Sequence, residues 1–289
     1  MGGESRSEVL HSSLFIFHPH IAKGGSRVEF KEVVGRRRSI RYFLPWKPVP
    51  REKIQIILEA ARLASRAGNA DFARAIVVER DKMPKADLQA LTLPVNAGMI
   101  EMAPVHIYWW GDLAAFRRDM PARAREQVDM GVLNISHGWT HKFINEVAYP
   151  QVVQAFSADP VLNAKVTGCE SGLAIAQALL AAVDEGLGTM LCTYPEAPAR
   201  TVFGVPDSWT VLWVQFVGYP AEGWEAGGQR PRPPLGSLYH EGRYGAPFRS
   251  SEEVVAQLQS QKMLQDPAPL PWRRDEVRAV SRMLGLPEE

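Results

Sequence analysis

This chain of 289 residues has few cysteines, almost no net charge and no long apolar run. The two cysteines, Cys169 and Cys192, are too few for a disulfide framework or a thiolate metal site, which is typical of a reducing compartment. The net charge of +1 gives no field strong enough to make nucleic acid or an anionic membrane the main partner. We therefore expect a cytoplasmic protein.

No apolar run predicts a membrane span. Glu170, Asp184 and Glu185 bracket the longest apolar segment, and the short run at 14–17 falls below the length of a secretory signal. The chain also lacks G-x-S-x-G, P-loop and G-x-G-x-x-G motifs, so hydrolase, NTPase and Rossmann dehydrogenase functions have no anchor.

The composition, 46% hydrophobic and 22% charged, is that of a folded domain with one large core. Helical periodicity and runs of β-branched residues indicate the elements. We predict helices over 50–68, 171–183, 196–203, 252–262 and 274–284, and strands over 75–79, 104–110, 189–193 and 209–217.

Two regions interrupt this pattern. From 111 to about 165 the sequence is polar and irregular, with one short helix expected near 151–156, and we interpret it as an insertion or lid. From 218 to 247 it is rich in Gly, Pro and Arg, which predicts an extended arm.

A basic run places Arg36, Arg37, Arg38 and Arg41 around the hydroxyl of Ser39. Guanidinium groups bind phosphate in bidentate fashion, so the run is a candidate phosphate site. On charge alone, a solvated basic surface or a nucleic-acid patch is the favoured explanation, because such runs are common.

The order of motifs resembles the opening of the nitroreductase-like flavoproteins: R-R-S-I-R-Y-F at 37–43, then P-V-P, a helix, and the loop 65–69 before a strand. The resemblance implies that Arg37, Arg38 and Ser39 hold the FMN phosphate or ribityl chain. It places Arg41 near the N1 and C2 carbonyl end of the flavin.

The second half resembles the same family. E-S-G-L-A-I-A-Q at 170–177 and G-L-G-T at 186–189 are similar to its central dimer helix and the following turn, and F-G-V-P and V-G-Y-P follow in order. The resemblance puts the backbone of Thr193 and Tyr194 beside flavin N5. It brings Arg230 and Arg232 back to the phosphate, although Arg-Pro alternation is also common in extended arms. Asn96 matches a side chain that meets the pyrimidine ring, unless it caps a helix.

The loop 65–73 departs from the family pattern. In the family this loop reaches the flavin of the other subunit, which implies cofactor contacts for Ser65, Arg66 and Asn69. Ser65-Arg66 stands where Pro-Ser is usual, and Asp71-Phe72-Ala73 stands where Gln-Pro-Trp is usual. These changes indicate a specialised branch.

The resemblance, which spans about 34–239, implies an α+β nitroreductase-like fold: a central mixed, mostly antiparallel sheet flanked by helices, in an intertwined homodimer. We expect one domain over 1–289, with its core at about 30–220, the lid at about 111–165, and the arm and final helices at about 221–289.

The resemblance also implies an FMN-dependent oxidoreductase that takes hydride from NADH or NADPH and passes it to a small nitroaromatic, quinone or related conjugated substrate by a ping-pong mechanism. No protein residue is assigned as catalytic, because the flavin carries the chemistry. The lid aromatics are candidates for stacking on the substrate, and core packing of the lid explains them equally well. They are Trp139, Phe143 and Tyr149.

Several alternatives stay open. A flavin-fragmenting synthase or a reductive dehalogenase of the same fold would share these motifs, as would a non-catalytic FMN-binding storage protein. A basic nucleic-acid module would show a steep salt dependence of binding. No metal site is expected, because the histidines lack the spacing of partner ligands; they are His11, His18 and His20 near the start, and His137 with His141.

Overall fold

The centre of the molecule is a four-stranded sheet in the order β1-β2-β4-β3, with every neighbouring pair antiparallel. The computed structural model describes residues 29–288. The four strands pair only antiparallel, where a mixed, mostly antiparallel sheet was expected, and an isolated parallel bridge joins Ser39 to Thr189 at the β3 edge. The predicted strands are confirmed with small shifts of their ends, as β1 (Ala73–Glu79), β2 (Val105–Asp112), β3 (Gly188–Cys192) and β4 (Trp209–Gly218).

Helices lie on both faces of the sheet. The first half contributes α1 (Phe30–Arg36), α2 (Arg51–Arg62), α3 (Lys85–Ala90), α4 (Ala97–Met102) and α5 (Ala115–Asp129). Then come α6 (His141–Phe143), the π-helix Ile144–Val153, α7 (Gln154–Ala158), α8 (Pro160–Asp184), α9 (Glu196–Phe203), α10 (Leu235–Leu238), α11 (Glu252–Ser260) and α12 (Arg273–Leu284). Short 3₁₀ turns cover Ala67–Asn69, Arg80–Lys82 and Ile135–His137.

Strand β2 divides the core because its side chains alternate between two buried clusters. Tyr108 and Trp110 face one cluster with residues of α4 and α9, whereas Ile107 and Trp109 face the other with α2 and α8. All eight residues of β2 are buried, since strands flank it on both edges and helices cover both faces. The helices on both faces hold the sheet in place, and residues 36–43 lie along its β3 edge.

Helix α8 begins eleven residues before the predicted start at 171. The side chain of Asp159 accepts hydrogen bonds from Val161 N at 2.8 Å and Leu162 N at 3.1 Å, and Pro160 occupies the first turn. This cap and proline were the sequence signal for the true start.

Helix α8 also corrects the expectation that no segment reaches membrane length. An 18-residue window within its 25 residues has a mean hydropathy of 1.5, which meets the length and composition of a membrane span. One of its faces packs on α2 and the sheet through Ala174, Ile175 and Ala178. A core helix passes the same test, so the segment is weak evidence for a membrane.

The region 111–165 is helical and not irregular, which corrects the prediction. Phe116, Met120 and Ala124 form a narrow buried stripe at spacings of four on α5, and they pack on Ile144 and Val153 of the π-helix. Charged neighbours and a proline within α5 obscure this stripe in the sequence. Buried contacts, not a wide apolar face, hold the lid together.

The departures in the loop 65–73 anchor this lid. Phe72 is 1% exposed and lies in the lid core, with its ring 5.7 Å from that of Phe116. Asp71 pairs with Arg66 and with Arg123 of α5. Two of the residues that differ from the family loop, Asp71 and Phe72, therefore contact the lid.

We expect Phe72→Ala to lower the free energy of unfolding by about 3–5 kcal/mol, because the truncation empties part of the lid core. Urea unfolding followed by circular dichroism measures the change. The control Leu63→Ala removes a side chain that is 69% exposed and should stay within about 0.5 kcal/mol of wild type. A loss below about 1 kcal/mol for Phe72→Ala would show that the lid does not depend on this anchor.

His106 of β2 gives the fold a pH dependence. Burial lowers its pKa from 6.5 to about 4, with Arg80 adding to the fall and the bond of Nε2 to Ala103 O (3.0 Å) opposing it. Below pH 6.5 the unfolded chain gains a proton that the folded chain refuses, so stability falls until about pH 4.

Between pH 6.5 and 5 this single group should cost about 2 kcal/mol of stability. Urea unfolding of wild type and His106→Gln at the two pH values isolates the contribution, because glutamine is neutral throughout. Parallel pH profiles for the two proteins would refute the assignment.

Candidate functional site

The basic motif and the G-L-G-T turn, about 150 residues apart in the chain, meet at the β3 edge of the sheet. Ile40 N donates to Thr189 O at 3.1 Å, and Ser39 bridges Thr189. A Cβ on Gly188 would lie 2.9 Å from Ile40 Cγ2, so only glycine leaves room for this approach. The backbone of the motif is therefore held in register with β3.

Arginines from the two ends of the core lie together here. Burial lowers the pKa of Arg37, and the charge of Arg232 lowers it further. Burial likewise lowers the pKa of Arg38, as do the charges of Arg37 and Arg230, while Glu225 opposes them. We call Arg37, Arg38, Arg230 and Arg232 the arginine cluster.

Within residues 29–288, no carboxylate lies within ion-pair distance of any member of the arginine cluster. Arg38 is 6% exposed and turns inward, where its guanidinium donates to Gln265 Oε1 at 3.0 Å and to Gly35 O. Arg37 has no side-chain hydrogen bond in the described chain, and Arg230 and Arg232 are exposed. An anion would be contacted by these three and supported by Arg38 from behind.

A second group lies where β3 ends. Exposed Arg41 donates through Nη1 to Ser39 O at 3.0 Å. Burial raises the pKa of the Cys192 thiol, and the Thr193 N–H and the charge of Arg41 partly oppose that rise, which puts Arg41 close to this strand end. The predicted pyrimidine and N5 contacts thus belong to one neighbourhood.

Asn96 joins this neighbourhood from α4. Its side chain is fully buried, donates to Thr193 O at 3.1 Å and to Leu91 O at 3.2 Å, and accepts from Leu93 N at 2.7 Å. Asn96 is the N-cap residue of α4, as the capping alternative held, but its side chain makes no capping hydrogen bond to that helix. Both amide donors are used within the chain, and Asn96 holds the strand end in place.

Tyr194 contributes only its backbone to the surface. The side chain is 2% exposed, its hydroxyl donates to Trp109 O at 2.7 Å, and its ring meets those of Tyr108 and Trp110 edge-on. Burial raises the pKa of this hydroxyl. Thr193, by contrast, is exposed beside it.

The family model that describes the nitroreductase family matches residues 34–219 of this chain. This span is more than half of the 289 residues. The chain belongs to the nitroreductase family. The resemblance of the motifs is thereby confirmed, as is the predicted fold class.

Solved structures of the nitroreductase fold superimpose on most of the chain. A nitroreductase family protein from Streptococcus pneumoniae is 20% identical with a TM-score of 0.56, and the match covers 74% of this chain and all of that one. A protein from Exiguobacterium sibiricum, described as a nitroreductase and solved in complex with FMN, is 21% identical with a TM-score of 0.59 over 73% and 96% of the two chains. CLA-ER, an enone reductase, is 17% identical with a TM-score of 0.54 over 75% and 94%.

These identities are low enough that the likeness shows the fold alone. No curated protein sequence matches the chain. The contacts of this chain's own residues therefore define its site.

The loop 65–69 does not join the arginine cluster within one nitroreductase chain. Ala67 N donates to Glu170 Oε2 of α8 at 2.8 Å, and Arg66 pairs with Asp71. Gly68 and Asn69 both have positive φ, and a Cβ on Gly68 would collide with Met120 Cγ of α5 at 2.3 Å. The described contacts of this loop are thus with α8 and the lid, and its predicted cofactor contacts stay an expectation for a second subunit.

The three lid aromatics are half-buried and pack against the lid core. The rings of Trp139 and Phe143 meet edge-on at 5.2 Å, and Tyr149 lies in the π-helix. These contacts favour the packing explanation over substrate stacking, which remains a prediction.

Metal candidates do not come together. Among residues 29–288 no group of three or more His, Cys, Asp or Glu side chains could hold an ion. His137 bonds to its own turn at Asn134, and His141 lies 2.8 Å from Asp129. His11, His18 and His20 lie outside the described residues.

Sequence reasoning missed Glu222, which is 5% exposed and accepts from Arg41 N at 2.6 Å and from Tyr42 N at 3.2 Å. The only signal was an acidic residue directly after V-G-Y-P-A.

We expect inorganic phosphate to stabilise the cofactor-free protein through the arginine cluster. At an ionic strength matched with chloride, phosphate should raise the melting temperature by about 2 °C or more, because a ligand of the folded state adds to its stability. Arg37→Met should abolish this rise, whereas Arg117→Met, an exposed arginine of α5, should retain it. An equal response of both variants to phosphate would place the anion elsewhere.

Proposed function

We propose that the protein is an FMN-dependent oxidoreductase that takes electrons from NADH or NADPH. The observation that carries this proposal is the arginine cluster, in which like charges from the start of the core and from the arm converge with no carboxylate at ion-pair distance among residues 29–288. Among the solved neighbours, the Exiguobacterium protein holds FMN and a Staphylococcus epidermidis protein is described as an NAD(P)H:FMN oxidoreductase. Both share the fold of this chain.

The residues present fit FMN. A phosphate dianion would relieve the repulsion within the arginine cluster, with Arg37, Arg230 and Arg232 as its contacts and the Ser39 hydroxyl as a further donor. Arg41 and the backbone of Thr193 lie at the other end of the motif, where the isoalloxazine ring would extend. The observation behind this fit is that burial and neighbouring arginines lower the pKa of Arg37 and Arg38, and that neither side chain has a carboxylate within ion-pair distance among residues 29–288. The buried Nε of Arg38 also has no hydrogen-bond partner there.

The chemistry supplied by bound FMN is hydride transfer at N5, first from the nicotinamide and then to an electron-poor acceptor. The chain binds and orients the cofactor, and a cation at Arg41 favours the reduced, anionic state. No side chain is required as a nucleophile. Because donor and acceptor would use the same face, we propose ping-pong kinetics with a small conjugated acceptor, and the description of one neighbour of this fold as an enone reductase supports this class of acceptor.

We further propose a cytoplasmic homodimer that completes the site. On α8, the face opposite the core presents Cys169, Gly172, Leu173 and Ala176 to solvent, and Leu173 is 48% exposed. A second copy packed on this small, apolar face would cover it and bring its own loop 65–69 towards the cofactor.

Arg37→Ala and Arg41→Ala should each weaken FMN binding at least about tenfold, since each removes a charged hydrogen-bond donor worth about 1.4 kcal/mol or more. Flavin fluorescence titration of the cofactor-free protein measures the Kd. Arg62→Ala, which removes an exposed arginine paired with Glu59, is the control and should bind as wild type does. Wild-type binding by both site variants would refute the site assignment without refuting the fold.

Catalysis is tested by anaerobic mixing of the FMN-loaded protein with NADH or NADPH. Loss of the oxidised-flavin absorption band, followed by its return when a quinone or nitroaromatic is added, supports the reductase. If the band persists after NADH or NADPH is added, the protein binds FMN without turnover and a storage role is supported. If the band is permanently lost in air, the protein fragments its flavin.

A further inference from the structure

The segment after β4 runs back along the basic motif. Leu44 N donates to Tyr219 O at 2.9 Å and Ala221 N donates to Tyr42 O at 2.8 Å, with Phe43 bridged to Pro220 between them. This pairing sets the next residue, Glu222, beside the backbone of Arg41 and Tyr42.

Glu222 uses both of its carboxylate oxygens. Oε1 accepts from Arg41 N and Tyr42 N, at 2.6 and 3.2 Å, and Oε2 lies 2.7 Å from Nη2 of Arg273 on α12. At 5% exposure a carboxylate is stable only if it is paired and hydrogen-bonded. The charge of Arg273 therefore makes it possible for Glu222 to hold the motif backbone.

Helix α12 holds Arg273 in turn. Its Nη1 donates to Glu276 Oε2 at 2.8 Å, and Glu276 Oε1 accepts from Gly223 N at 2.5 Å. A Cβ on Gly227 would lie 2.8 Å from Arg273 Cδ, so the turn at Gly227 leaves room for the Arg273 side chain only with glycine at this position. The result is a closed network between the C-terminal helix and the residue after Glu222.

We propose that Glu222 is a positioning residue for FMN and that Arg273 makes retention of the cofactor depend on helix α12. The peptide N–H groups of Arg41 and Tyr42 are fixed by the carboxylate, which sets where the Arg41 side chain leaves the backbone. The Arg41 side chain donates to Ser39 O at 3.0 Å and lies close enough to Cys192 for its charge to act on that thiol. The inference rests on the proposed function and adds the C-terminal helix, outside the matched span 34–219, to the machinery of the site.

The test compares Arg273→Met, Glu222→Gln and the double variant with wild type. Arg278→Met is the matched control, because Arg278 lies on the same helix in an exposed pair with Asp275 at 3.5 Å. Three quantities are measured: the Kd for FMN, the two-electron midpoint potential of the bound flavin, and the urea unfolding of the cofactor-free protein.

Arg273→Met should raise the Kd at least tenfold and make the potential more negative, because a displaced Arg41 stabilises the reduced flavin less. The double variant should recover most of both effects, since glutamine keeps an acceptor for the two N–H groups and no unpaired charge is left buried. Arg278→Met should match wild type in all three measurements.

Wild-type Kd and potential in a folded Arg273→Met protein would overturn the inference. So would an increase in Kd that leaves the potential unchanged and is not recovered in the double variant, because that pattern indicates destabilisation alone. If Arg273→Met does not fold, Glu222→Ala, which leaves the two N–H groups without their acceptor, should raise the Kd and make the potential more negative, and wild-type values of both would overturn the inference. A wild-type protein that ignores FMN would instead refute the proposed function, and this inference with it.

Discussion

Like-charged guanidinium groups held close together raise the free energy of a folded chain until an anion neutralises them. Here Arg37 and Arg38 approach Arg230 and Arg232, and burial, followed by the charges of the neighbouring arginines, lowers the pKa of the first two. Such an arrangement persists only if other contacts hold the backbones in place. Much of the structure around the β3 edge supplies those contacts.

Three of these contacts come from different parts of the chain. The sheet binds the motif through Thr189, the C-terminal segment binds Arg38 through Gln265, and Glu222 binds the peptide groups of Arg41 and its neighbour. Segments within and after the matched family span 34–219 therefore converge on the same short stretch. The family core provides Arg37 and Arg38, and the C-terminal extension provides Arg230 and Arg232 together with contacts that hold the motif.

The loop 65–73 lies in the matched family span, but its contacts in this chain are with the lid. In this chain the loop 65–73 lies beneath α5, with Phe72 in the lid core and Gly68 against Met120. The same loop touches Glu170 on α8, the helix whose other face is exposed. The loop thus contacts both the lid and helix α8. Substitutions in the loop therefore change the packing of the lid.

The sequence by itself determined the family, the sheet strands, helices such as α9 and α12, and the residues that approach the proposed phosphate site, because short-range periodicity and ordered motifs carry that information. It did not predict that Arg38 and the Tyr194 hydroxyl turn inward, that the Asn96 side chain donates to Thr193 O, or that the lid is helical. Those outcomes depend on which buried faces meet across a hundred or more residues. Only the tertiary structure decides them, since a buried polar group takes whichever partner the packing leaves within reach.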